Sequence, residues 1–171
     1  MHAPPLLDGK RRLAALYGFR RCLCTVSLRV VHTVDLQTPE DLRQLSLFAD
    51  LEAAELEAIV RSCERVSYRE GEWIIRQGDP SSALYMILEG DVATVIDDED
   101  RRILSKGSFF GEVSVLLGEP ASASITTRTP VECLVVPGSE VPAFLVSHPV
   151  VAYRMLMAEA RRLKTATGGH S

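Results

Sequence analysis

Apolar residues recur at helical spacing over residues 51–60. Leu51, Leu56, Ile59 and Val60 share one face, and Glu52, Glu55 and Glu57 lie elsewhere. Asp50 is the expected N-cap of that helix. A shorter helix is expected to start at Thr38-Pro39-Glu40-Asp41, where Thr38 can cap, Pro39 suits the first helical position and the two acids favour the positive end of the helix dipole. Leu45, Leu47 and Phe48 then follow as anchors. After Cys63 the period shortens. Residues 65–68, 73–75, 84–88, 92–96, 102–104, 122–127 and 131–136 read as short strands separated by turn formers. The stretch 84–88 is continuously apolar, as in a strand buried on both faces. Pro137-Gly138-Ser139-Glu140 signals a return to helix, with Ser139 as the cap, and His148-Pro149 breaks that helix. A last helix is predicted over residues 149–164. Tyr153, Leu156, Met157, Ala160 and Leu163 form its stripe, with Arg154, Arg161 and Arg162 largely on the other side. This stripe reads either as packing on the barrel or as a dimer contact. Short strands with a turn between each pair predict a mainly β fold, a jelly-roll barrel flanked by N-terminal and C-terminal helices.

Charge divides the chain. Residues 1–34 carry six basic residues against Asp8 alone, a net of +5, whereas residues 35–171 carry a net of −9. Residues 1–37 read as a disordered leader or an early start, 38–167 as the domain and 168–171 as a frayed tail. The acidic body argues against direct DNA binding, because phosphate contacts need clustered Lys and Arg. No run approaches the ~18 apolar residues of a membrane span. The cysteines and histidines lack metal-site spacing, which predicts reduced thiols and a cytoplasmic protein. The run 97–100 reads as a solvated hairpin tip, and Trp73 as core or barrel wall. Enzyme motifs such as G-x-S-x-G, H-E-x-x-H and G-x-x-x-x-G-K-[ST] are absent, so no catalyst is expected.

The segment with candidate chemistry is Gly107-Ser108-Phe109-Phe110-Gly111-Glu112-Val113-Ser114-Val115-Leu116-Leu117-Gly118-Glu119-Pro120-Ala121-Ser122. Gly111 allows close backbone approach to a ligand, and a short helical turn starts at Glu112. The N–H groups that open such a turn, near Val113, form an anion site. Glu112 can accept hydrogen bonds from sugar hydroxyls, and Ser122 can donate to a phosphate oxygen. These residues alone equally describe a barrel corner.

This segment resembles the phosphate-binding cassette of the cyclic nucleotide-binding domain family, the family of catabolite-activator-type regulators and cyclic-AMP-dependent kinase regulatory subunits. The similarity runs from about residue 38 to 167. Leu47-Phe48-Ala49-Asp50-Leu51, Gln77-Gly78-Asp79 and Tyr85-Met86-Ile87-Leu88-Glu89-Gly90-Asp91-Val92 resemble further motifs of the family in the right order. The resemblance implies that Gly111 and Glu112 hold the ribose side of cyclic AMP or cyclic GMP. It also implies an arginine for the cyclic phosphate at the position after Glu119-Pro120. This chain has Ala121 there. A lost charge-assisted contact of that kind typically costs ~2–5 kcal/mol. Of the nearby bases, Arg128 is placed by strand alternation on the outward face with Ser122 and Ser124, opposite Ala121, Ala123 and Ile125. Lys106 precedes the cassette loop.

Three readings follow. The first is a stand-alone regulatory module that senses cyclic AMP or cyclic GMP, needs no other cofactor, and signals to a protein partner or a second copy through its C-terminal helices. The second is a scaffold of the same fold without nucleotide binding, which Ala121 favours. The third is a regulator of the catabolite-activator type lacking its DNA-binding domain, since the chain ends soon after the last helix.

Overall fold

The computed structural model describes residues 42–80 and 83–167. The expected leader, the helix start at Thr38, Ser81-Ser82 and the tail at 168–171 lie outside the described residues. Leu42, Leu45, Leu47 and Phe48 are buried, as anchors should be. The first described helix, α1, spans Ala53–Arg61 and buries Leu56 and Ile59. Its cap is Glu52 rather than Asp50. Asp50 adopts a left-handed φ of 62°, which turns the chain too early to start a helix. Glu52 is extended, as an N-cap must be, and its N–H donates to the Glu55 carboxylate at 3.0 Å.

Eight strands follow: β1 (Glu64–Tyr68), β2 (Trp73–Ile75), β3 (Ala83–Glu89), β4 (Val92–Ile96), β5 (Glu99–Leu104), β6 (Phe109–Phe110), β7 (Ser124–Thr127) and β8 (Val131–Pro137). They form two antiparallel four-stranded sheets, ordered β1-β8-β3-β6 and β2-β7-β4-β5. The fold is mainly β, an incompletely closed jelly-roll barrel flanked by helices. Helix α2 (Glu112–Leu117) lies between β6 and β7, and α3 (Val141–Ser147) and α4 (Pro149–Thr167) follow β8.

Strand β3 explains the layering. Ala83, Tyr85 and Ile87 point between the sheets, where they meet Val92, Leu104, Phe110 and Ile125. Leu84, Met86 and Leu88 point the other way, under Phe48, Leu56, Val141 and Val151 of the helical layer. Hence the strand is apolar at every position from Ala83 to Leu88. Each large side chain buried in these layers contributes about 1.5–3 kcal/mol.

Several boundaries differ from expectation. The acidic hairpin tip narrows to Asp97 and Asp98, both at positive φ, while Glu99 and Asp100 join β5. Helix α3 is capped by Glu140, because Ser139 lies inside a turn closed by the Glu140 N–H on the Pro137 carbonyl at 2.8 Å. Trp73 is not core. It stands in the barrel wall on β2, 43% exposed, and the Arg76 guanidinium sits 5.1 Å from its ring centroid.

The chain bends by 108° between α3 and α4. Helix α4 also turns a face inward that its pattern did not announce. Val151 and Met155 are buried and Ala158 packs against the same core. The predicted stripe, Tyr153, Leu156, Met157 and Leu163, is exposed, so it does not pack on the barrel. Arg154 lies opposite that stripe, as expected, and so faces inward, donating to the Leu47 carbonyl at 3.2 Å and to the Ala49 carbonyl. Arg162 also points inward, so two charged anchors join Val151 and Met155 on the face that docks. Among the described residues no single helix is long and apolar enough to cross a membrane.

Candidate functional site

Strand β6 sets the site. Phe109 is buried in the helical layer and Phe110 in the barrel interior, where its ring stacks on Tyr85 at 4.9 Å. The next residue, Gly111, must therefore pass close against β3. Its φ is +87°, and a Cβ there would lie 2.4 Å from the Ala83 carbonyl oxygen. The glycine is thus required by the approach of β3, not only by an approaching ligand as expected. Helix α2 then begins at Glu112 and is closed by Gly118 at φ 67°.

Gly111, Glu112, Val113, Ala121 and Ser122 all line one cavity of about 300 Å³, on the order of the smallest pockets that hold small ligands. Ala121 is buried, clamped by its N–H on the Asp79 carbonyl at 2.9 Å and by the Gly78 N–H on its own carbonyl at 2.8 Å. Ser122 is exposed at the rim and Val113 is 44% exposed. Ile125 points into the barrel, and Arg128 points outward to pair with Asp100, as alternation predicts. Lys106 does not line the cavity.

Glu112 is the distinctive group. It is only 7% exposed. Its Oε1 faces the Arg162 Nη1 at 3.4 Å, and its Oε2 is buried without a partner. Burial pushes its carboxyl up to about 7, against a pull from its backbone hydrogen bond; nearby Glu159 adds to the rise and Arg162 opposes it. Arg162 also donates to the Phe109 carbonyl at 2.9 Å, bonds Glu159, and lies 4.5 Å from the Phe109 ring centroid. One arginine of α4 thereby ties the last helix to the cassette.

Among the lining residues that the sequence does not single out, three are basic: Arg101, Arg102 and Arg162. Arg102 was legible, since it lies two residues before Leu104 and shares its inward face. Arg162 was hidden by the apolar stripe beside it.

A second cleft, of about 560 Å³, lies beyond α2 and gathers Pro80, Gly118, Glu119 and Ser139, with Glu119 its charged member. Among the described residues no cluster of His, Cys, Asp or Glu can hold a metal ion. Burial pushes the thiols of Cys63 and Cys133 up to about 12, so neither is a nucleophile at neutral pH.

Residues 65–148 match the family model of the cyclic nucleotide-binding domain. The chain is 34% identical over 146 residues to a cGMP-dependent protein kinase of Plasmodium berghei, an alignment covering 85% of this chain and 17% of the kinase. It is 34% identical over 97 residues to the cAMP-dependent protein kinase regulatory subunit of Blastocladiella emersonii, covering 54% of this chain and 24% of that one. The catabolite activator protein of Thermus thermophilus superposes with a TM-score of 0.63 at 30% identity, over 71% of this chain and 59% of that one. The chain therefore spans a minor part of the kinase relatives it matches.

Proposed function

This chain belongs to the cyclic nucleotide-binding domain family, and on that premise we propose that it senses cyclic AMP or cyclic GMP in the cavity beside α2. The reading is of a regulatory binding module, not a catalyst, in a cytoplasmic setting that its buried thiols suit. The observation that carries it is Glu112. A carboxylate buried at a cavity wall with one oxygen unpartnered is costly, and a ligand hydroxyl donating to that oxygen would relieve the cost.

Output would run through α3 and α4. Arg162 reaches from α4 to Glu112 and to the Phe109 carbonyl, so a ligand that engages Glu112 changes what holds α4. A ligand biases such a two-state element only by its differential affinity for the two arrangements. The exposed stripe Tyr153, Leu156, Met157 and Leu163 supports a protein contact on this helix, with a second copy of the chain as the simplest partner. The scaffold reading keeps one supporting observation. Position 121 is a buried alanine and offers the phosphate no charge.

The test is thermal unfolding with and without millimolar cyclic AMP or cyclic GMP. The sensor reading expects one of them to raise the midpoint by several degrees, and Glu112→Ala to abolish the rise. No rise with either nucleotide supports the scaffold.

A further inference from the structure

Helix α4 is held differently along its two halves. In the first half Val151 and Met155 are buried, and Arg154 donates to the carbonyls of Leu47 and Ala49. From Leu156 to Ala166 no side chain is buried. Arg162 ties this second half to the cassette. Its Nη2 donates to the Phe109 carbonyl at 2.9 Å, and its Nη1 meets two carboxylates, that of Glu112 at 3.4 Å and that of Glu159. One guanidinium thus serves two acids, and the Glu112 Oε2 is buried with no partner. A single cation offsets one of two carboxylates, and a buried oxygen without a donor disfavours the charged form. A proton on Glu112 removes both costs, because it cancels the repulsion and can be donated to the Glu159 carboxylate. Across the cavity the charged groups that face Glu112 are Arg101 and Arg102 of β5. Helix α3 carries no titratable side chain, β6 offers two phenyl rings and the Phe109 carbonyl, and on β3 the Tyr85 ring is stacked on Phe110.

We propose that Glu112, Glu159 and Arg162 form a proton-operated latch, which holds the second half of α4 on the cassette while Glu112 is protonated and lets it lift when Glu112 ionises. Glu112 cannot itself withdraw, because Gly111 pins the start of α2 against the Ala83 carbonyl. Water reaches an ionised Oε2 when α4 moves, and α4 supplies the other two charged groups of the cluster. Lifting α4 removes the pull of Arg162 on the carboxyl, but it also removes Glu159 and opens the site to water, and burial is the largest cause of the carboxyl's rise to about 7. Undocking therefore returns Glu112 towards ordinary acidity, which links the two events and sets the latch near neutral pH. The device goes beyond the nucleotide reading and needs no ligand.

The experiment is amide hydrogen exchange of the full chain between about pH 6 and pH 8, corrected for the intrinsic effect of pH on exchange, on the wild type, Glu112→Gln and Glu159→Gln. In the wild type the protection of residues 157–166 should stay below that of β3 and fall roughly five- to tenfold across this range. Glu112→Gln should hold it constant. Glu159→Gln should move the fall to lower pH, because Glu112 then keeps its cation and loses the competing acid. Constant protection in the wild type, a fall that persists in Glu112→Gln, or one unmoved in Glu159→Gln would overturn the latch. Protection of residues 157–166 equal to that of β3 would also overturn it, since α4 would then open only when the whole domain unfolds. Each of these failures would leave the nucleotide reading standing.

Discussion

On the cassette wall of the cavity three residues are fixed by packing. Gly111 is pressed against the Ala83 carbonyl, Glu112 is buried, and Ala121 is clamped by the loop at Gly78-Asp79. On the facing wall, Arg101 and Arg102 stand on an exposed strand whose inward residues include Leu104 and whose outward residue Ile103 is half in water. Gly111 in the first wall cannot take a side chain without disturbing β3. The arginines of the second are exposed, so replacing one disturbs little packing. The comparison teaches that the cassette gives the cavity its shape, while β5 brings exposed charge to it.

The largest effect expected from this contrast is at Gly111. Gly111→Ala adds a Cβ 2.4 Å from a backbone oxygen and strains a φ of +87°, so urea unfolding should show a loss of about 3 kcal/mol. Gly118→Ala is the control. It has a similar φ, +67°, but open space around it, and should lose only about 1 kcal/mol. Equal losses would mean that the approach of β3 is not what holds the cassette.

Next comes Glu112. Its carboxyl is at about 7 in the folded chain against an ordinary 4.5. Between those values the folded chain keeps a proton that the unfolded chain has released, so stability falls as pH rises through that window and is lowest above 7. The decline should be on the order of 2 kcal/mol between pH 5 and pH 8. Glu112→Gln should lack it, so the two unfolding curves should converge at pH 5 and separate at pH 8. Parallel curves would mean that burial does not perturb this carboxyl. The smallest effect sharpens the contrast from the other side. Arg102→Ala should change unfolding stability by no more than about 0.5 kcal/mol, as urea unfolding would show.

Much of this was legible in the sequence, and what was missed has a common cause. Strands were readable because alternation and turn formers are local signals. The stretch 84–88 announced its double burial, and Arg128 its outward face. The cassette was readable as Gly111-Glu112 with a departure at Ala121. Hidden were choices made by distant partners. Nothing near Gly111 in sequence says that Ala83 crowds it, and nothing in the spacing of α4 says that Arg154 seeks the carbonyls of Leu47 and Ala49. A helix with an apolar stripe is expected to bury it. Here the helix docks by another face, where Val151 and Met155 are buried beside Arg154 and Arg162, and Leu156 is left 65% exposed. Of the β5 arginines, Arg102 is readable from its spacing to Leu104, whereas Arg101 reaches the same cavity only at a bulge, which sequence alone does not announce.

The central claim is that this cavity binds a cyclic nucleotide although its cassette lacks a cation. Calorimetric titration of cyclic AMP and cyclic GMP into the wild-type chain, with Ala121→Arg alongside, tests it most directly. Binding by the wild type at micromolar concentration or better is the predicted result. Silence from the wild type contradicts the claim. Recovery in Ala121→Arg would then identify an intact pocket disarmed at one residue, and silence there too a pocket that holds no nucleotide at all.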